Sequence, residues 1–88
     1  MITALIHGNE ICGAFALDRL LSGGFKVDRG RLILAFANTI AYLRFDPSRP
    51  YASRFVDEDM NRVWSVDLLE GRHQSVEMAR ARELSPYA

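Results

Sequence analysis

His7-Gly8-Asn9-Glu10-Ile11-Cys12-Gly13 decides how the rest of this chain is read. Residues 2–6 before it are almost wholly apolar, the pattern of a buried strand, and the residues after it turn to helical spacing. The stretch is therefore a strand-to-helix junction. In an open α/β sheet, junctions at the carboxyl ends of the strands form the crevice where ligands sit, and this one carries an imidazole and a carboxylate three residues apart. His7 and Glu10 can share one metal ion. Imidazole nitrogen and carboxylate oxygen both bind Zn2+ at roughly 2.0–2.2 Å, and a site of two His and one Glu keeps a fourth position open for water. On this reading Gly8 lets the backbone turn without a Cβ clash, and Asn9 caps the helix that follows. The same residues also fit a plain helix start, with an exposed His and an acidic first-turn residue that suits the helix dipole. His-x-x-Glu by itself leaves both readings open.

Working outward, residues 10–21 carry Ile11, Ala14, Phe15, Ala16, Leu17, Leu20 and Leu21, with Asp18 and Arg19 as the polar edge. A helix this apolar is expected to pack on a sheet. Gly23-Gly24 supplies its stop, and Asp28-Arg29-Gly30 makes a turn. Residues 32–37, Leu-Ile-Leu-Ala-Phe-Ala, form a continuous apolar run of strand length, as in a strand buried on both faces. Strand, helix, strand implies a right-handed parallel crossover, which puts Asn38 on the same rim as His7. Residues 38–57 lose all periodicity around Asp46, Pro47, Ser48 and Pro50 and read as a long loop, a feature that in compact domains is usually functional or disordered. Val63 and Trp64 bury its exit. Residues 75–84 read as a surface helix whose thin apolar stripe is Val76, Ala79, Ala81 and Leu84, with Glu77, Arg80, Arg82 and Glu83 as a solvated face. The fold class is α/β: a parallel β-α-β unit, a long loop and a C-terminal helix.

Composition narrows the function classes. At 49% hydrophobic and 25% charged, 88 residues make one soluble globular domain at most. A chain this size buries only roughly 60–65% of its unfolded surface, close to the lower limit for an α/β unit. Eleven basic and eleven acidic residues cancel, so no global field recruits nucleic acid or an anionic membrane. No apolar run approaches the roughly 20 residues of a bilayer span, and the start lacks a signal-peptide pattern, so a cytoplasmic location is expected. The single cysteine, Cys12, is expected to be a small buried hydrophobe.

A second cluster, Arg54-Phe-Val-Asp-Glu-Asp-Met-Asn-Arg62, follows the loop. A guanidinium grips a carboxylate through two parallel hydrogen bonds, and Asn61 beside Arg62 adds an amide donor. The pair makes a carboxylate clamp, unless Asp57, Glu58 and Asp59 simply neutralise these arginines on the surface. Together and in this order, His-Gly-Asn-Glu at a strand end, Gly13, Asn38 after the next strand and the Arg54–Arg62 string resemble the succinylglutamate desuccinylase/aspartoacylase family of the zinc carboxypeptidase superfamily. The resemblance covers residues 7–84.

That resemblance implies a partial zinc-carboxypeptidase-like domain in which residues 1–88 are the N-terminal part. It implies that His7 and Glu10 are zinc ligands, that Arg54 polarises the scissile carbonyl, and that Asn61 and Arg62 hold the substrate carboxylate. The reaction would be hydrolysis of an N-acyl amino acid by zinc-bound water. In the family a third ligand and a catalytic Glu come after the helix corresponding to residues 75–84, so these 88 residues alone are expected to be an inactive half-site. The other histidine, His73, matches no ligand position and is expected to be exposed. The family also commonly has Gly just before the His, where Leu5 and Ile6 stand here. A second reading is a short carboxylate-binding or interaction module without catalysis. A fragment would expose an apolar sheet edge prone to self-association.

Overall fold

The computed structural model describes residues 1–88. Strand β1 (Ile2–Ala4) is followed by helix α1 (Ile11–Ser22), strand β2 (Leu34–Phe36), the one-turn helix α2 (Thr39–Tyr42), and helices α3 (Val66–Glu70) and α4 (Val76–Leu84). Short 3-10 turns lie at Pro50–Ser53, Met60–Arg62 and Ser85–Tyr87. The two strands pair in parallel, Ile2 with Leu34, Thr3 with Ala35 and Ala4 with Phe36, which establishes the α/β class. Beyond the strands the pairing runs on: the Ala37 N–H donates to the Ala4 carbonyl at 2.8 Å, and the Asn38 N–H to the Leu5 carbonyl at 2.7 Å. His7 and Asn38 therefore share one rim of the sheet.

Both strands are shorter than their apolar runs. β1 ends because Leu5 takes φ +63°, the left-handed region that non-glycine residues avoid, and this redirects the chain into the His7 turn. The Gly23-Gly24 stop is built as expected, with Gly24 at φ +66°. The segment expected to be a long irregular loop, residues 38–57, instead contains α2, whose first turn is capped by the Asn38 side-chain Oδ1 accepting the Ala41 N–H, and the turn at Pro50–Ser53. No helix is long and apolar enough to cross a membrane.

The core lies on the α4 side of β2. Ala35, Ala37, Met60, Val63, Met78, Ala81 and Leu84 form one buried cluster, with Ile6, Trp64, Leu68 and Leu69 packed against it. On the other side α1 is mostly uncovered. Leu17 is its one buried residue, Phe15 is 68% exposed, and Leu20 and Leu21 also face solvent. α1 does pack on the sheet, but β1 is the element it rests on, and three residues cannot cover a twelve-residue helix. Cys12 is exposed rather than buried for the same reason. A groove of about 430 Å³ opens between α1 and α2, lined by Leu5, Ile11, Phe15, Phe36, Tyr42 and Leu43 among others. The Cα extents, 39 × 37 × 14 Å, describe a slab. Its radius of gyration is 14.1 Å, against about 12 Å for a compact domain of this length.

The expected solvated face of α4 holds for Glu83, which is exposed, and fails at Glu77, Arg80 and Arg82. Its buried residues are Glu77, Met78, Ala81 and Leu84, whereas Ala79 is exposed. Arg80 donates to the carbonyls of Ala37 and Phe36 at 2.9 and 2.8 Å. Arg82 reaches the carbonyls of Leu68, Leu69, Gly71 and His73. Apart from the Arg80–Glu83 pair at 2.8 Å, these guanidinium groups are directed at backbone, giving donor partners to carbonyls at the end of β2 and around the end of α3.

Candidate metal centre

His7 sits in the turn between β1 and α1, and Glu10 occupies the position just before the first helical residue. The His7 carbonyl accepts the Glu10 N–H at 3.1 Å, which closes the turn and brings the two side chains together. His7 Nδ1 lies 2.7 Å from Glu10 Oε1, and His7 Nε2 lies 2.7 Å from Asp59 Oδ1. The imidazole is buried, while the Glu10 side chain stays open to solvent. Gly8 makes this approach possible: a Cβ there would overlap the Ser53 carbonyl and come within 2.6–2.7 Å of Ala41. Its N–H donates to the Arg54 carbonyl at 2.9 Å, tying the His7 turn to the second cluster. Glycine is thus needed at this position for room.

Asn9 does not cap α1. The helix begins at Ile11 with Glu10 before it and no side-chain cap, so Asn9 stands one residue too early, and its buried Oδ1 has no hydrogen-bond partner.

Asp59 joins the two clusters. Its Oδ1 also accepts the Asn61 N–H at 2.8 Å, capping the turn at Met60–Arg62, and its Oδ2 faces the Arg54 guanidinium at 3.6 Å. The hydrogen bond from His7 is the main reason its carboxyl is held below the usual carboxylate range. The Asn61 N–H and the charges of His7 and Arg54 add to this, against a small opposing effect of burial. By residue type Asp57, Glu58 and Asp59 are equivalent surface partners for the arginines. Asp57 instead accepts the Val76 N–H at the start of α4, Glu58 pairs with the exposed His73, and none of the five ion pairs involves Arg62. Asn61 and Arg62 are both exposed, and the Arg54 side chain is 44% exposed. One signal could have singled out an acid here: a ligating imidazole usually gives its other nitrogen to a carboxylate. Three neighbouring acids left the choice open.

The second missed residue is Glu77. Its side chain is fully buried, and its Oε1 accepts the N–H groups of Asp57 and Glu58 at 2.8 and 3.0 Å. Its Oε2 accepts the Val56 N–H at 3.0 Å and the Asn38 side-chain amide at 2.8 Å. Burial pushes this carboxyl up, but the four donors outweigh it and hold the group below its ordinary range. Its spacing with Ala81 and Leu84 follows the i, i+4, i+7 rule of a buried helix face, a sign that a search for apolar residues alone passes over.

The donor set fits zinc chemistry. A ring with a carboxylate oxygen 2.7 Å from each nitrogen needs a proton on both to make two hydrogen bonds, or a cation in place of one of them. With Asp59 fixing the Nε2–H tautomer, Nδ1 and Glu10 converge as one nitrogen and one oxygen donor. Asp59 lies on the opposite edge of the ring and cannot reach the same ion. No group of three His, Cys, Asp or Glu side chains is disposed to hold a metal within these residues.

Residues 1–88 match the succinylglutamate desuccinylase/aspartoacylase catalytic domain. The chain belongs to this family. Among similar proteins, a succinylglutamate desuccinylase of Pseudomonas putida strain GB-1 is 35% identical over 94 aligned positions, covering 100% of this chain and 24% of its own length. A probable aspartoacylase of Parasynechococcus marenigrum is 36% identical over 78 positions, covering 89% of this chain and 24% of its own. A succinylglutamate desuccinylase of Pseudomonas fluorescens strain Pf-5 is 37% identical over the whole chain. The chain spans about a quarter of the length of these family members. No solved structure matches it significantly.

Proposed function

We propose that residues 1–88 are the N-terminal part of one zinc-dependent catalytic domain that hydrolyses the amide bond of an N-acyl amino acid. His7 and Glu10 are two of its zinc ligands. The observation that carries this reading is the His7 imidazole held between Glu10 and Asp59 at 2.7 Å on each side. When bound, the metal supplies a water of lowered pKa as nucleophile. The chain's own residues do the rest. Asp59 holds the His7 ring and its tautomer, so that Nδ1 keeps its lone pair for the metal. Arg54, held loosely at 3.6 Å by Asp59, keeps N–H groups free to face the oxyanion that develops on the scissile carbonyl. Arg62 and Asn61, exposed on the turn that Asp59 caps, grip the substrate carboxylate and fix the reacting amide relative to the metal. The matched relatives are named for succinylglutamate and for acylated aspartate, and both substrates carry the free carboxylate such a clamp requires.

The test has two stages. Zinc titrated into the 88-residue chain against a chromophoric chelator should bind weakly, and His7→Ala or Glu10→Gln should abolish that binding. Adding the remaining three-quarters of the P. putida desuccinylase as a separate polypeptide should give one tightly held zinc and release of amino acid from N-succinylglutamate or N-acetylaspartate. Zinc binding that survives both substitutions removes the ligand assignment. A zinc-loaded complex that hydrolyses neither substrate removes the catalytic one and leaves a carboxylate-binding module.

A further inference from the structure

We infer that Glu77 is a positioning residue for the metal centre: its carboxylate pins the backbone of residues 56–58 and thereby sets Asp59 against His7. Four donors converge on its two oxygens, which uses the whole accepting capacity of a carboxylate. Three of the donors are consecutive main-chain N–H groups, so one buried side chain fixes the path of the segment that leads directly into Asp59. The fourth is the Asn38 amide, at the end of β2 on the rim that also carries His7. Glu77 therefore references the second cluster to the sheet that carries the first. Asp57 reinforces the join by capping the Val76 N–H of the same helix at 2.7 Å.

A hydrophobic residue in the same space would leave all four donors without an acceptor, and it could not hold three successive N–H groups in one orientation. A glutamine cannot either, since one of its two terminal atoms becomes a donor and meets either the Asn38 and Val56 donors or those of Asp57 and Glu58.

The inference rests on His7 being a metal ligand, so its main readout is independent of metal. Amide hydrogen exchange is measured on the metal-free 88-residue chain. In Glu77→Gln, exchange at Gly8, whose N–H donates to the Arg54 carbonyl, and at Asn61, whose N–H donates to Asp59, should speed up at least tenfold. Exchange at Ala37 and Leu69, bonded elsewhere, should not change. Glu77→Asp, one methylene shorter, should show a smaller change at the same two amides, and Glu83→Gln, on the exposed side of α4, none. Zinc affinity of the same proteins should fall about 10–100-fold in Glu77→Gln, the range for loss of a partner behind a ligand. It should fall no further in Glu77→Gln/Asp59→Asn than in Asp59→Asn alone. A uniform rise in exchange across all four amides, loss of fold in both Glu77→Gln and Glu77→Asp, or additive losses of zinc affinity would make Glu77 a general stability residue and overturn the inference. Local exchange changes in a chain that binds no zinc would uphold the positioning of Asp59 and count against the zinc reading alone.

Discussion

Helices α1 and α4 stand on opposite terms with their surroundings. α1 is the longer and more apolar, yet Leu17 is its one buried residue. α4 carries four charges in nine residues and buries four positions, one of them a carboxylate. The difference lies in what each helix has to bury against. α4 faces Met60, Val63 and the end of β2, together with a row of main-chain groups left without partners by short strands and irregular turns. Its Glu77, Arg80 and Arg82 supply those partners, so their charges are met largely by peptide dipoles, with one opposite charge, Glu83, beside Arg80 at 2.8 Å. α1 faces three residues of β1. Burial in this chain follows the availability of partners, and composition alone ranks the two helices in the wrong order.

The largest expected effect tests that contrast directly. Met78→Ala deletes a fully buried core side chain and should cost about 2–5 kcal/mol in denaturant unfolding. Phe15→Ala, at a site 68% exposed, should stay within about 0.5 kcal/mol. A cost at Phe15 comparable to that at Met78 would break the comparison. It would mean that the apolar groove beside α1 is covered in solution, and the unfolding midpoint of the wild type would then depend on protein concentration if a second copy is what covers it.

Next in size is the response to acid. The Glu77 carboxyl is held below its ordinary value of 4.5 in the folded chain, so folding favours its ionised form. Its contribution is complete above the unfolded value and is lost as pH falls through the lowered folded one. Wild-type stability should therefore drop as pH falls from about 4.5, and Glu77→Gln should be less stable at neutral pH but flatter in this window. Asp59, lowered chiefly by its hydrogen bond with His7, leaves a residual slope of the same sign. An unchanged acid slope in Glu77→Gln would show that the α4 carboxylate is not held by main-chain donors in solution.

Much of this fold and site could be read from the residues. The apolar runs before His7 and Asn38, the Gly23-Gly24 stop and the helix that starts after Ser75 each arise from local chemistry, and the parallel pairing follows from their order. The meeting of His7 and Glu10 is also local, since one tight turn separates them. The rest depends on distant partners. Asp59 differs from Asp57 and Glu58 only by the turn that aims it at a ring 52 positions away in sequence. Glu77 looks solvated until the N–H groups of residues 56–58 are placed above it. The exposure of α1 depends on how little sheet lies beneath it, which no periodicity reports. Asn9 failed as a cap by one residue, the ordinary uncertainty of a helix boundary.

The smallest expected effect sits at Leu5, which belongs to both regions. Its side chain lines the groove beside α1, and its carbonyl accepts from Asn38, whose amide reaches Glu77. With φ at +63° the backbone here adopts a conformation in which Cβ crowds the following carbonyl, at about 1–2 kcal/mol for a non-glycine residue. Leu5→Ala keeps that strain and loses the side chain, whereas Leu5→Gly loses the side chain and relieves the strain. At an ordinary strand end alanine would be the more stable of the two by about 0.5–1 kcal/mol. Here the order should reverse, with glycine ahead of alanine by about 0.5–1 kcal/mol in urea unfolding. Because both variants lack the leucine beyond Cβ, their difference reports the backbone together with one buried methyl group, which itself favours alanine. If alanine proved the more stable, Leu5 would not be left-handed in solution, and the turn that carries His7 away from β1 would have to be made by other residues.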